Sequence, residues 1–538
     1  MISSTHLELR EIKICFEFRA PSETMTDLNR ASRQQTSQTP KPSIIAHLFT
    51  DLDGTSLAVF RIAFGLIMHW EVWRYFLNDW IREYYIWPAF NFPYPFFEWV
   101  TPWAGSGMFL HFAVLGILSL FITTGLFYRI SAPLFFVGIT YVFLLEESHY
   151  LNHMYLVCLL SFLLIFVPAN RCLSLDKIII GKGWGTKIPA WSLYLIGSQI
   201  AIPYFFGGVA KIGTDWLLAR PLAIGLAGFA DLPLVGPMFE QTWGLLFIAY
   251  SGLLLDLFIV PLLLWPRSRS IAFSLITGFH LLNAFWFQIG IFPWFMMLAG
   301  TIFFSPDWPQ KMLMRIKSVS RLGQWGVGIT GLLGGLIAWA AIGLSLVPIL
   351  VGILSGLVIS WLAIDALWPE EKSLSLPNKT FYTITKSHKV TSILLALWMI
   401  FQVTIPLRHY LIPSVVHWTE EGHRFAWHMK LRAKEAKVRF FAYKPKTGEA
   451  KSINPLFTLT ARQYQKMSSR PDMIRQFSRY LKLNLDPTGT EGIEIRVDAV
   501  ASLNGRPEQR LIDPKVDLAS VKTSKLAKNF WIIPLNNP

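Results

Sequence analysis

Long apolar runs recur along the chain, separated by short polar or aromatic connectors. Runs able to cross a bilayer occupy 56–74, 107–127, 130–147, 150–168, 190–212, 242–265, 269–288, 290–305, 324–343, 345–366 and 392–411. Each predicts a membrane helix, because about 20 apolar residues cover the ~30 Å hydrocarbon core. The eighth run is short, and the ninth abuts the tenth. The predicted fold is therefore a polytopic α-helical membrane protein with about 9–11 transmembrane helices.

After residue 412 the pattern changes to polar and charged. KVRFFAY (437–443) and KPKTG predict a strand and a turn, and GIEIRVDAVASL (492–503), NGRP and QRLID (509–513) a strand, turn and strand. Between them, ARQYQKMSSRPDMIRQFSRYLKL (461–483) has helical spacing interrupted by Pro471. The expected organisation is a flexible cytoplasmic arm at 1–45, a helical membrane domain at 46–411, and an extracytoplasmic mixed α/β or β-rich module at 412–538. The arm lacks the apolar core of a cleaved signal peptide.

Composition supports this division: 53% of the residues are hydrophobic, 15% are charged, and mean hydropathy is +0.41. Such a chain is too apolar for a soluble domain of this length. The net charge of +15 lies mostly in connectors and in the C-terminal part, so it reads as membrane topology, with no nucleic-acid partner expected. Arg129, the group from Arg171 to Lys187, the pair Arg267 and Arg269, the group from Lys311 to Arg321, and Lys372 to Lys389 fall on alternate connectors, which are expected to be cytoplasmic. An odd number of spans then places the C-terminus in a periplasm or lumen. Cys15, Cys158 and Cys172 form no spaced framework, so no disulfide and no Cys/His zinc site is expected.

Polar groups inside apolar runs carry the chemistry, since a charge at mid-bilayer costs about 2.5–3.5 kcal/mol on insertion scales. In YFFGGVAKIGTDW (204–216), Tyr204, Gly207 or Gly208, and Lys211 share one helix face. Two readings stand for Lys211: an interfacial lysine snorkelling to water beside Asp215 and Trp216, or a desolvated amine able to act as a base. In LEESHYLNHMY (145–155), Asn152 is either a helix cap or a site residue, and His153 either a satisfied interfacial histidine or a ligand contact. His280 and Asn283 of FHLLNAFWFQIG (279–290) are either interhelical glue or part of a site. Asp256 in LLLDLF reads as a partner for a neighbouring arginine or a helix–helix hydrogen bond. Together these groups suggest a pocket for a flat, lipophilic ligand. No Walker loop, GxGxxG in context, HExxH or CxxCH occurs.

LAVFRIAFGLIM (57–68), LNHMYL (151–156), FVPANRCLSLD (166–176), YFFGGVAKIGTDW (204–216), LLLDLF (253–258), FHLLNAFWFQIGIF (279–292), FFSPDWP (303–309), FAWHMKL (425–431), TGEAKSINP (447–455) and QRLIDPKVDL (509–518) form a collinear series. The series resembles the vitamin K-dependent γ-glutamyl carboxylase family, whose membrane part belongs to the wider group named for a horizontally transferred transmembrane domain. The resemblance implies deprotonation of a reduced vitamin K (phylloquinol or menaquinol) and its reaction with O2. A strongly basic oxygenated intermediate then removes a γ-proton from a protein glutamate. The carbanion takes up CO2, the vitamin leaves as its 2,3-epoxide, and no metal is needed.

By motif, the resemblance assigns Lys211 as the base, His153 and His280 as catalytic histidines, and Asn152 as the neighbour of the quinone. It places Trp427 and Met429 beside the naphthoquinone and Arg510 at the glutamate or CO2 end; Tyr204 and Asn283 belong to the same expected cofactor pocket. The expected partners are the bilayer, the quinol and a glutamate-containing protein. The chain departs from animal members in several ways. Their paired lysine reads Ala210–Lys211, their Trp-Asp-Met-Met reads Trp427-His428-Met429-Lys430, and two apolar runs fill 324–366. The animal cysteine pair has no counterpart, and the N-x-S/T site Asn378–Thr380 falls on the expected cytoplasmic side, which suggests a bacterial-type, inner-membrane member. Quinol epoxidation without protein carboxylation, and a non-enzymatic quinone or lipid carrier, are the competing expectations.

The odd span count can be tested directly. A reporter fused after Pro538 is expected on the periplasmic or luminal side, and a cytoplasmic reporter would overturn the count.

Overall fold

The computed structural model of the chain describes residues 44–181, 183–232, 235–287, 289–318, 321–342, 346–367, 384–524 and 527–536. The expected arm with Cys15, apart from residues 44 and 45, and the Asn378–Thr380 site lie outside the described residues. Cys158 and Cys172 are buried, and no disulfide joins them.

Helices stand at all eleven predicted positions: α1 (Thr55–Leu77), α2 (Gly107–Thr124), α3 (Tyr128–Leu145), α4 (Asn152–Phe166), α5 (Ala190–Val209), α6 (Thr242–Leu264), α7 (Arg269–Phe287), α8 (Phe292–Gly300), α10 (Arg321–Ile342), α11 (Leu346–Leu367) and α12 (Lys386–Leu407). An amphipathic helix, α9 (Trp308–Ser318), joins α8 to α10. Among the described residues seven helices are long and apolar enough to cross a bilayer, namely α1, α2, α3, α5, α6, α7 and α12. Shorter apolar helices lie at Asn152–Phe166, Phe292–Phe303, Trp325–Leu336 and Gly352–Leu362. Within α8 every residue from Pro293 to Gly300 is buried. A nine-residue helix enclosed by protein need not meet lipid at either end, which explains why this run is short. The chain is an integral membrane protein.

Pairs of adjacent helices pack closely, and α10 against α11 is one such pair. A Cβ on Gly334 would lie 2.1 Å from the Gly352 carbonyl oxygen, and one on Gly356 would lie 2.3 Å from the Thr330 carbonyl oxygen. Small residues let these backbones touch, the usual way to bind helices together in lipid, where apolar burial alone gives no preference.

At one end of the bundle, FVPANRCLSLD works as a knot around a charge that sequence reading missed. Arg61, wholly buried in α1, donates to the carbonyls of Ala169 (2.8 Å), Cys172 (3.2 Å), Thr123 (3.3 Å) and Leu173. Asp176 accepts from the N–H groups of Phe127 (2.7 Å) and Tyr128 (3.0 Å) at the start of α3 and from Asn170 (3.0 Å). Gly125 ends α2 with φ +65°, and a Cβ there would meet Ser174 at 2.5 Å and Arg61 at 2.8 Å. Only glycine fits both the turn and the contact. Nearby, β1 (Asp51–Asp53) pairs antiparallel with β2 (Lys187–Pro189).

The C-terminal module follows the strand pattern closely. Its antiparallel sheet has the order β4-β3-β5-β6, with β3 at Lys434–Lys444, β4 at Glu449–Ile453, β5 at Glu494–Leu503 and β6 at Gln509–Arg510. Phe440 faces Val497 across β3 and β5. Alternate β5 residues from Ile495 to Leu503 are buried, as period-two patterning requires. They share a core with Met467, Met473, Ile474 and Phe477 of the helices α13 (Ala461–Ser468) and α14 (Pro471–Leu485). Pro471 opens α14, where its missing N–H costs nothing. Strand β4 escaped the sequence reading because EAKSI carries no alternation; four of its five residues are exposed.

Three devices dock this module on the helices. From the aromatic connector after α1, Phe92 enters the module's core, and Phe90 stacks near Phe477 and Tyr480 at 5.9 and 4.6 Å. The buried Glu146 and Glu147 bind Gln463 (2.9 Å) and Gln476 (2.7 Å), and Arg424 pairs with Glu147 at 2.9 Å. Asp215 receives a two-pronged contact from Arg506, 2.8 Å on each oxygen, together with Asn504 at 2.7 Å and Arg220 at 2.8 Å.

Burial alone would raise the Asp215 carboxyl, but the hydrogen bonds from Arg506 and Asn504 and the Arg506 charge hold it below the usual carboxylate range. With a folded value below the unfolded one near 3.9, this link is present above that pH and lost as the pH falls through the folded value. Thermal unfolding of the purified protein should therefore lose stability as the pH is lowered below about 4. Asp215→Asn should be less stable at neutral pH and show a flatter acid limb, whereas an unchanged acid limb in that variant would contradict the assignment.

Candidate functional site

A cavity of about 580 Å³ opens between α4, α5, α6, α7 and the segment that leads into β3. Lys211, His153, His280, Asn152, Tyr204, Asn283 and Met429 all line it. The structure thus brings seven of the nine sequence-nominated residues to one place.

Lys211 follows the C-terminus of α5 and is only 5% exposed, so the snorkelling reading does not hold. Its ammonium is ion-paired with Asp256 of α6, and Nζ lies 3.3 Å from the Gly207 carbonyl oxygen and 5.2 Å from the centre of the Trp216 ring. The partner of Asp256 is therefore this lysine, not an arginine. A carboxylate, a carbonyl at the helix C-terminus and an aromatic face thus surround the amine nitrogen. The glycines explain how the pair can form. A Cβ on Gly208 would lie 2.7 Å from Leu257 Cδ2 and 3.1 Å from the Leu257 nitrogen, so α6 crosses directly over it. One on Gly207 would lie 3.0 Å from Met429 Cε and 3.2 Å from Asp256 Oδ2. The open face read from the sequence is filled by α6 and by Met429.

Tyr204 and His280 form a second polar pair, hydroxyl to Nε2 at 2.8 Å, with both side chains buried. The other His280 nitrogen, Nδ1, is buried without a partner. His153 and His280 both pack near Phe292, with ring centres 5.7 and 5.9 Å from it. Asn283 lines the same wall one turn beyond His280. Asn152 does not cap α4; it accepts from the Tyr150 hydroxyl (2.8 Å) and donates to the His428 carbonyl (2.9 Å). The Tyr150 hydroxyl in turn accepts the Phe425 N–H at 2.8 Å. Asn152 therefore ties the membrane helices to FAWHMKL while its side chain borders the cavity.

That segment is tightly wound, with positive φ at Glu420, Phe425, Trp427 and Lys430. Such positions cost non-glycine residues about 1–3 kcal/mol and are retained where the surroundings hold them. Trp427 sits behind the cavity wall, fully buried against Tyr155 with ring centres 5.2 Å apart. Arg510 corrects an expectation: it lies on β6 with a 63% exposed side chain, 3.8 Å from Asp498, and is not among the cavity residues. Short β6 leaves it on the rim of the sheet.

Arg424, Lys430, Arg432, Lys466 and Arg470 are cations of the cavity lining; Arg432 is ion-paired with Glu420, and Arg424 with Glu147. Sequence reasoning missed them because they come from three elements; the basic run beside FAWHMKL was the available signal. Burial and then the Arg470, Arg462 and Arg432 charges push Lys466 down to about 8, as expected where cations crowd a half-buried wall. Burial, with His417, His409 and Arg408, pushes the cavity-lining His428 down to about 2. The site thus has a lipophilic aromatic floor holding one buried acid–base pair, and a basic outer wall suited to a carboxylate.

The family model described as "HTTM domain" matches residues 49–308, and "Vitamin K-dependent gamma-carboxylase, lumenal domain" matches residues 387–538. No solved structure matches the chain. The first match holds α1 to α8 and Lys211, the second holds the docked module and FAWHMKL, and the cavity lies where the two meet. The chain belongs to the vitamin K-dependent γ-glutamyl carboxylase family.

Proposed function

We propose that the protein is a vitamin K-dependent γ-glutamyl carboxylase that couples oxygenation of the reduced vitamin to its 2,3-epoxide with carboxylation of protein glutamate. The observation that carries this reading is the convergence of Lys211, Asp256, His153 and His280 on one apolar cavity at the junction of the two family segments. Its volume and aromatic lining suit a naphthoquinol ring, and the unpartnered Nδ1 of His280 offers a polar contact for a ring oxygen. The bound quinol supplies the reducing power and, with O2, the strong base that glutamate deprotonation needs.

The chain's own task is to take the first proton. A phenol-like hydroxyl titrates near 10, so it requires a base of similar strength away from water. The Lys211–Asp256 pair meets this need as a unit. With its shared proton on the Asp256 carboxyl, Lys211 is a neutral amine; accepting the quinol proton leaves an ammonium beside a carboxylic acid, and the quinol becomes an anion. Asp256 is in this account a positioning residue, which holds the amine and carries its proton. His153 and His280, both packed near Phe292, orient the ring, and Tyr204 fixes His280. Arg424, Arg432, Lys466 and Arg470 attract the glutamate carboxylate to the outer end. In this reading the C-terminal module lies outside, in a periplasm or lumen.

One observation favours a second reading, quinol epoxidation without a protein substrate: Arg510 lies away from the cavity. The test gives purified protein reduced vitamin K, O2, labelled bicarbonate and a glutamate peptide. Epoxide with label in the peptide is expected, and epoxide without label would leave only the second reading. Lys211→Ala should lower epoxide formation by about 10²–10⁴-fold. Near-normal epoxide from a well-folded Lys211→Ala protein would remove it as the base. Absence of both products from the wild type, with quinone binding unaffected by that substitution, would point to a carrier. Asp256→Asn should lower the rate and change its pH profile, whereas a purely structural role would leave the profile of the residual activity unchanged.

A further inference from the structure

His417, His423 and His428 each bring one ring nitrogen within 4.8 Å of the others. His417 belongs to the short turn Val416–Thr419, His423 follows it, and His428 is the histidine of FAWHMKL; His423 and His428 line the cavity. Nothing in the proton chemistry assigned to Lys211 uses them. The Nδ1 atoms of His417 and His428 are buried with no hydrogen-bond partner. A buried imidazole nitrogen left without a partner is costly, and two of them in a cluster with a third imidazole point to a ligand held between the rings.

We propose that these residues form a three-histidine site for a divalent cation of the Zn²⁺ class, with its fourth position open to the cavity for a carboxylate oxygen. Bonds of about 2.0–2.1 Å to three imidazoles bring their nitrogens to about 3.4 Å from one another in a tetrahedral site. Ring rotations close the remaining gap. Neutral imidazoles as the donors select a borderline transition metal over Mg²⁺ or Ca²⁺, which take oxygen ligands. Glu420 Oε2 lies 3.8 Å from His423 Nδ1, so a carboxylate stands behind one ligand and leaves Nε2 of that ring for the metal. Arg424, Arg432 and Arg470 also line this wall, and their charge opposes a bare dication while favouring an anionic fourth ligand. H-x5-H-x4-H is not a zinc spacing, so motif reading offers no sign of the site; the proposed metal departs from the expectation of none at these histidines and takes no part in the quinol reaction.

The test uses the full chain purified through a tag without histidines, stripped with chelator and titrated with Zn²⁺, then with Co²⁺ as a spectroscopic probe. One equivalent of Zn²⁺ by elemental analysis, and a visible Co²⁺ band of tetrahedral intensity that shifts when acetate is added, are expected. His428→Gln and His423→Gln should each weaken binding by tenfold or more, while His111→Gln, whose ring contacts the Gly138 carbonyl between α2 and α3, should not. A wild type that retains no Zn²⁺ after dialysis, or variants that bind as tightly as the wild type, would overturn the site. If a histidine variant fails to fold, the wild-type Co²⁺ spectrum decides alone: octahedral intensity rejects the site. No quinol is present, so failure here is separate from failure of the carboxylase reading.

Discussion

The buried contact between Lys211 and Asp256 is the constraint around which the membrane domain is arranged. Neither charge is tolerable alone in an apolar bundle, and removing one partner of such a pair leaves the other uncompensated. Bringing them together demands that α5 and α6 nearly touch, which is why Gly207 and Gly208 precede the lysine by one turn. The pair lines the same cavity in which Tyr204 and His280 meet. A pair that is costly to bury and that improves no packing makes more sense as chemistry than as glue.

The second constraint is the junction between helices and module. The proposed chemistry requires a quinol site inside the bundle and a carboxylate site on the module to face one volume. The aromatic plug of Phe90 and Phe92, the carboxylates of Glu146 and Glu147, and the Asp215–Arg506 contact fix that relation from three directions. Asn152 adds a fourth link at the cavity itself, through the His428 carbonyl. Glu146 and Glu147, buried carboxylates at the end of an apolar run, serve as anchors.

The helices were legible because apolar runs of bilayer length have few alternatives, and β3, β5 and α14 because their burial follows periods of two and 3.6. Strand β4 and the β1–β2 ribbon were not legible, since short exposed strands carry no alternation. At the site, Lys211, His153 and His280 stood out because each is a polar group in lipid-like surroundings. Their partners were harder to read. Asp256 was visible as an anomaly but not as the mate of Lys211, because the crossing of α5 and α6 is a tertiary fact. Arg510 shows the converse error: motif matching placed it at the site, yet the strand that carries it ends on the exposed rim of the sheet. Arg61 was hidden because its partners are backbone carbonyls, which every sequence has.

The central claim is that one cavity presents the quinol to the Lys211–Asp256 pair between two histidines. A density map of the full-length protein with a reduced vitamin K bound tests it most directly. The account predicts the naphthoquinol ring against Phe292, one ring oxygen within hydrogen-bond reach of Lys211, and His153 and His280 near the ring oxygens. A ring bound elsewhere in the bundle, with Lys211 and Asp256 still closed on each other and away from it, would contradict the account.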